Sequence, residues 1–355
     1  MNRRPQLVWM CLPLVALAAG FAYLKTETSG AAMTAAAEQF VASLTEAQRP
    51  QAVLAYDTPL RTDWHYIPKP SRKGLQVREM TEPQRKAAHA LLQAALSATG
   101  YSKADKIMQL EKILNELEQG RANRMIRDPE RYYFTLFGQP TTGGRWGLSV
   151  EGHHLSLNFV VDKNGVVSST PTFFGANPGT LMADYGAGFP KGLRVLAKEE
   201  ELAFQLLDAL TPEQRQTVTI ADKAPGDVRD AGKAAPPLSP AQGLAARDMT
   251  PAQTAILREL IQTYANNLPA DVAAERLSAI EGAGFDGIQF AWAGAHQPGT
   301  GHHYLVQGAT FLIEFNNTQP DSAGNVANHI HSVWHDLAGN FAIPVTSTKQ
   351  GSSKP

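Results

Sequence analysis

A Thr-x-x-Gln phrase occurs four times in this chain, at Thr45–Gln48, Thr81–Gln84, Thr211–Gln214 and Thr250–Gln253. The phrase is a capping box. The hydroxyl accepts from the third backbone N–H of a helix while the amide oxygen reaches back to the first. Proline or glutamate just inside the start, as in Thr81-Glu82-Pro83 and Thr211-Pro212-Glu213, favours the same position. The copies fall into two pairs, with Gln48 and Gln214 166 positions apart and Gln84 and Gln253 169 apart. Two further phrases follow in the same order: Leu148–Gly152 matches Tyr304–Gly308, and Leu155–Phe159 matches Phe311–Phe315. Such ordered self-similarity indicates an internal duplication. The expectation is one duplicated domain over 31–345, with half one at about 34–192 and half two at about 199–345.

Each half reads as a helical segment followed by strands. Helices are expected over Thr34–Ala55, Gln84–Ala98 and Ser102–Gln119, then over Glu199–Leu210, Gln253–Asn266 and Ala270–Glu281. Glycines at Gly120 and Gly282 suit helix ends. Hairpin turns at Glu151-Gly152 and Gln307-Gly308 would pair Trp146–Val150 with His153–Val161 and His302–Val306 with Ala309–Asn317. Third strands are expected over Val166–Thr172 and Ala327–Asp336. Phe173–Gly179 reads as loop, as does the Pro/Gly/Ala-rich segment Lys223–Asp248. The fold class is therefore α+β: two related halves, each a helical segment followed by a three-stranded antiparallel meander, packed about a pseudo-two-fold axis as one domain.

Residues 1–30 read as a signal peptide or N-terminal anchor. Arg3 and Arg4 precede an apolar run from Leu7 to Leu24, and both Gly20-Phe21-Ala22 and Ser29-Gly30-Ala31 fit a cleavage site. A periplasmic or extracellular location follows, with membrane contact only through an uncleaved N-terminal segment. Residues 346–355 read as a disordered tail. The single cysteine, Cys11, lies inside the leader, so thiolate ligands and a cysteine nucleophile are excluded from the exported part. A net charge of -1 gives no electrostatic case for nucleic acid. There is no Gly-x-Ser-x-Gly elbow, P-loop or dinucleotide fingerprint.

Half of the ten histidines lie between His302 and His335. Side chains on a strand alternate between faces. By that parity His153 joins an apolar face and His154 a polar, accessible one. His303 shares a face with Glu314, falling opposite Leu312, while Glu314 faces His331 and Asn316 faces His329. His303, His329, His331 and Glu314 are thus candidate metal ligands, and Glu314, Asp336 and His154 candidate catalytic groups. Neutral imidazoles with a carboxylate suit a divalent transition metal, zinc first, with copper, nickel or iron also accommodated. A metal-bound water with a carboxylate base would make a hydrolase acting on a small-molecule or envelope-derived substrate. The alternative is a non-catalytic envelope or extracellular ligand-binding protein whose histidines are structural.

Several phrases carry a family resemblance: Gln84-Arg85 with Leu91-Leu92, Gly152-His153-His154-Leu155-Ser156-Leu157-Asn158, Thr170–Ala176, and Asn328-His329-Ile330-His331-Ser332-Val333-Trp334. On these the chain, from about Gln39 to Phe341, resembles a widespread domain-of-unknown-function family of exported proteins. The resemblance implies one family-wide domain and no established activity. Where members usually carry arginine after the tryptophan and an Asp-Phe-Gly-like ending, this chain has His335 and Asn340-Phe341-Ala342.

Overall fold

A computed structural model describes residues 28–119, 126–186 and 188–345. The expected leader is described only from Thr28 onward, and the expected tail lies outside the described residues. Among the described residues no helix is long and apolar enough to cross a membrane.

The first part of the chain forms α1 (Ser29–Ser43), α2 (Arg49–Ala52), β1 (Val53–Leu54), β2 (Leu75–Gln76), α3 (Glu82–Ala95), α4 (Ala98–Leu117), β3 (Tyr133–Phe137), β4 (Arg145–Gly152), β5 (Leu155–Asp162), β6 (Gly165–Ser168) and β7 (Thr172–Ala176). The second part forms α5 (Ala197–Ala209), α6 (Pro212–Val218), β8 (Thr219–Ala221), β9 (Leu244–Ala245), α7 (Pro251–Ala265), α8 (Ala270–Gly282), β10 (Gln289–Gly294), β11 (His302–Gln307), β12 (Phe311–Gln319) and β13 (His329–Asp336). The strands make one mixed sheet in the order β1-β3-β4-β5-β7-β13-β12-β11-β10-β8, with β2, β6 and β9 pairing off that path. All pairs are antiparallel except β1 with β3 and β8 with β10.

The capping boxes work as read, with one correction. Thr45–Gln48 does not sit inside a helix over Thr34–Ala55; it ends one helix and starts the next. Each glutamine amide also does a second job. Gln84 Nε2 donates to Gln48 Oε1 at 2.7 Å and to Ser43 O at 2.9 Å. Gln253 Nε2 likewise donates to Gln214 Oε1 at 2.8 Å and to Ala209 O at 2.7 Å. The four boxes are therefore two clasps, each tying two helix starts together.

Parity divides the sheet into two unlike faces. Leu155, Leu157, Phe174, Tyr304, Ile313, Phe315 and Trp334 belong to the large core that contains the helices. Ala291, Leu305 and Leu312, and separately Trp64, Tyr66, Phe173, Val228 and Val333, form two small clusters on the other face. Loops around residues 64–66 and 225–234 cover that second face. The Phe173–Gly179 stretch, expected as loop, contains β7 at the centre of the sheet. Its apolar run is short and flanked by Pro171 and Pro178, which hides a strand from periodicity. The second part likewise has β10 ahead of the three expected strands.

Candidate metal centre

The expected turn at Glu151-Gly152 lies two residues later. Gly152 pairs with Leu155, so His153 and His154 form the turn itself. His154 takes φ 62°, the left-handed region that few side chains adopt. Its backbone is fixed by two bonds, His154 N–H to Tyr66 O at 2.9 Å and Gly175 N–H to His154 O at 2.8 Å. Contrary to the sequence expectation His154 is not accessible; it is 4 % exposed.

Across the sheet, Asn316 pairs with His331 and His331 with Gly175. Gly175 leaves the space above β7 empty of a side chain, and the His154 ring lies there: a Cβ on Gly175 would sit 3.1 Å from His154 Cδ2. His329 precedes a bulge, where Gln319 rather than Thr318 takes the next pairing. The result is convergence of three rings. His154 Nε2 lies 2.8 Å from His329 Nε2, and His329 Nε2 lies 3.1 Å from His331 Nε2. Among the described residues, this triad is the group of ligating atoms that could hold a metal ion, all three within 4.8 Å of one another. Nitrogens bonded to one zinc at about 2.0–2.1 Å are separated by roughly 3.3 Å, so the two shorter spacings are close to a metal's coordination edge, while the third pair lies within 4.8 Å.

The outer ring nitrogens are also held. His331 Nδ1 is 2.6 Å from Asp227 Oδ1. The same oxygen accepts from Tyr66 Oη at 3.0 Å and from Val228 N–H at 2.7 Å. His329 Nδ1 is 3.4 Å from Asn177 Nδ2. A carboxylate behind a ligand imidazole fixes its tautomer and raises its donor strength. The His154 ring stacks on His153 at 3.7 Å between centroids. His153 is buried and in turn bonded to Glu111 of α4 at 2.5 Å.

The electrostatics keep His154 and His329 neutral. Burial first, then the neighbouring histidines, push His154 well below the ordinary histidine value and His329 down to about 3. Burial would raise Asp227, but its hydrogen bonds with His331, Val228 N–H and Tyr66 outweigh it and hold the carboxyl below its usual range. Neutral imidazole is the form that binds a metal.

The other expected site residues lie elsewhere. His303 pairs with Asn316 instead of Leu312, and Glu314 with Val333 instead of His331. Both shifts are even, so parity is kept and His303 does share a face with Glu314. Glu314 is buried and committed to Arg229, whose Nε and backbone N–H lie 2.8 and 3.1 Å from its two oxygens. His303 Nε2 is 3.9 Å from Glu314, and the structure does not bring either residue into the triad. Asp336 falls on the opposite parity from His331, and its carboxylate accepts from Ala338 N–H at 2.8 Å. Asp227 and Tyr66 escaped sequence reasoning. Asp227 sits in the Pro/Gly/Ala-rich segment read as a surface loop, and only the charged word Asp227-Val228-Arg229-Asp230 marked it.

Against known families, residues 26–343 match the description "protein of unknown function (DUF3500)". The chain belongs to the DUF3500 family. The match spans both the turn that carries His154 and the strand that carries His329 and His331, as the resemblance to an uncharacterised family implied. No curated protein and no solved structure matches this DUF3500 chain.

Proposed function

We propose that this DUF3500 protein is exported and binds a divalent transition metal at His154, His329 and His331, with metal-dependent hydrolysis as the chemistry of that centre. The convergence of three imidazole Nε2 atoms, one of whose rings is backed by Asp227, carries the reading. Zinc suits three nitrogen ligands best, with a fourth position left for water, whose pKa the metal lowers toward neutrality. Copper, nickel or iron would accept the same donors. Asp227 acts as a positioning residue through His331. The substrate would be a small or envelope-derived molecule. Export rests on the leader read at residues 1–30. The single duplicated domain is supported by a strand order that reads alike from either end, β1 standing to β8 as β3 to β10, β4 to β11, β5 to β12 and β7 to β13. The two glutamine clasps support it too.

The alternative, a ligand-binding protein with structural histidines, is favoured by one feature: at 2.8 and 3.1 Å the three rings can hydrogen-bond one another without a metal. Metal analysis of tag-free protein from its native compartment separates the two. About one equivalent is expected, and less than about half an equivalent favours the alternative, because tight sites retain their ion. His331→Ala should keep its fold and lose the metal; an unchanged metal content would end the ligand assignment.

A further inference from the structure

Away from the histidines, buried donors without acceptors gather at one place. Ser169 Oγ, Thr170 Oγ1, Arg276 Nε and Trp334 Nε1 are shielded from solvent and have no hydrogen-bond partner. All four side chains line one small cleft where the β6–β7 connection meets α8 and the end of β13. The cleft itself is only about 10 Å³, room for one water-sized group. Arg276 and Trp334 also line a neighbouring space of about 140 Å³, walled by Val166, Val272, Ile280 and Phe311. The other polar groups of the inner cleft are engaged. Asn267 Oδ1 accepts from Lys103, and Tyr264 Oη is bonded to Tyr304 and Ser332.

A guanidinium and an indole N–H can only donate, and hydroxyls rotate to donate when an acceptor arrives. Donors left buried without acceptors are costly, most of all on a charged group. The nearest opposite charges, Glu275 and Asp336, line the outer space rather than the inner cleft. They give the entrance a negative rim.

We propose that this cleft binds a small organic monocarboxylate. Its carboxylate sits at Arg276 and Trp334, which both spaces share, with one oxygen reaching inward to Ser169 and Thr170, and its short aliphatic tail lies along Val166, Val272, Ile280 and Phe311. A carboxylate matches a guanidinium's fork. The outer space of about 140 Å³ is close to the roughly 150 Å³ of a cavity that takes up benzene, ample for a tail of a few carbons. The negative rim disfavours a second carboxylate on the ligand. Trp334 faces the helices and His331 the loops, so the site is independent of the metal reading.

The test is ligand-observed NMR titration of the full chain with butyrate, butyramide and succinate. Butyrate should bind saturably, and butyramide and succinate about tenfold or more weaker. Arg276→Gln should weaken butyrate at least about tenfold and Trp334→Phe severalfold. No saturable butyrate binding, equal binding of butyramide, or unchanged affinity in Arg276→Gln would overturn the proposal. If Arg276→Gln does not fold, Ser169→Ala and Trp334→Phe decide it: reduced affinity in both supports the site, and unchanged affinity in both sinks it.

Discussion

Gly175 decides whether His154 can be a ligand. A Cβ there would stand 2.8 Å from Ile330 O and 3.1 Å from the His154 ring, and a strand backbone and a hairpin turn yield little. Gly175→Ala should therefore push the imidazole off the other two, weakening metal binding about tenfold, with a stability loss of about 1–3 kcal/mol. Metal content and thermal unfolding of one sample check both. Protonation gives a second residue-scale outcome. Burial, helped by nearby charge, holds His303 and His329 at about 3 and His335 at about 4. An unfolded histidine titrates near 6.5, so the unfolded chain binds more protons below that pH. Their contribution is complete above about pH 6.5 and is lost as pH falls toward 4. Glu314, raised by burial, acts in the opposite sense but is one group against several. The melting temperature of metal-free protein should fall steadily over that window, and His335→Phe should flatten the slope by up to about 1.4 kcal/mol per pH unit. A flat profile contradicts the buried neutral histidines. At this scale the sequence was informative where alternation rules. It found the His329/His331 pair and the shared face of His303 and Glu314. It failed where a turn replaced a strand, since parity says nothing of His154 once φ turns positive. It also failed at Asp227, which reaches His331 from a segment with no periodicity.

At the scale of elements, the capping boxes located helix starts to within a few residues, because the signal is chemical and local. The pairing of boxes into clasps was not legible, since it joins glutamines 36 and 39 positions apart. A double-mutant cycle of Gln48→Ala and Gln84→Ala should show a coupling of about 1 kcal/mol in denaturant unfolding. Additive single effects would reduce each glutamine to a local cap. The start of α1 bears on the proposed leader. Thr28 Oγ1 donates to Asn164 O at 2.7 Å, Ser29 bonds Asp271, and a Cβ on Gly30 would meet Asn164 O at 2.4 Å. Cutting after Ala31 would remove these anchors. If the proposed leader is removed, the mature chain should begin at or before Thr28, as intact mass would show. A mature terminus at residue 32 would mean that these contacts serve only the uncut protein. Strands β7 and β10 went unread for a different reason: a buried strand of five or six residues lacks alternation and resembles any apolar run.

For the whole molecule, the seam between β7 and β13 is the decisive junction. It carries five paired positions, from Ile330 with Ala176 to Trp334 with Thr172. His154 comes from one side of that seam and His329 and His331 from the other, so neither part of the chain completes the triad alone. Heating should therefore give one transition in calorimetry, with calorimetric and van't Hoff enthalpies equal. Two resolved transitions would mean that the parts unfold separately. The outermost strands of the same sheet have a further consequence. β1 is two residues long and β8 three, and each runs parallel to its only neighbour. Neither rim offers another copy a ladder worth extending. For a protein exported as proposed, beyond the reach of cytoplasmic chaperones, such rims would keep a very wide sheet from seeding fibres.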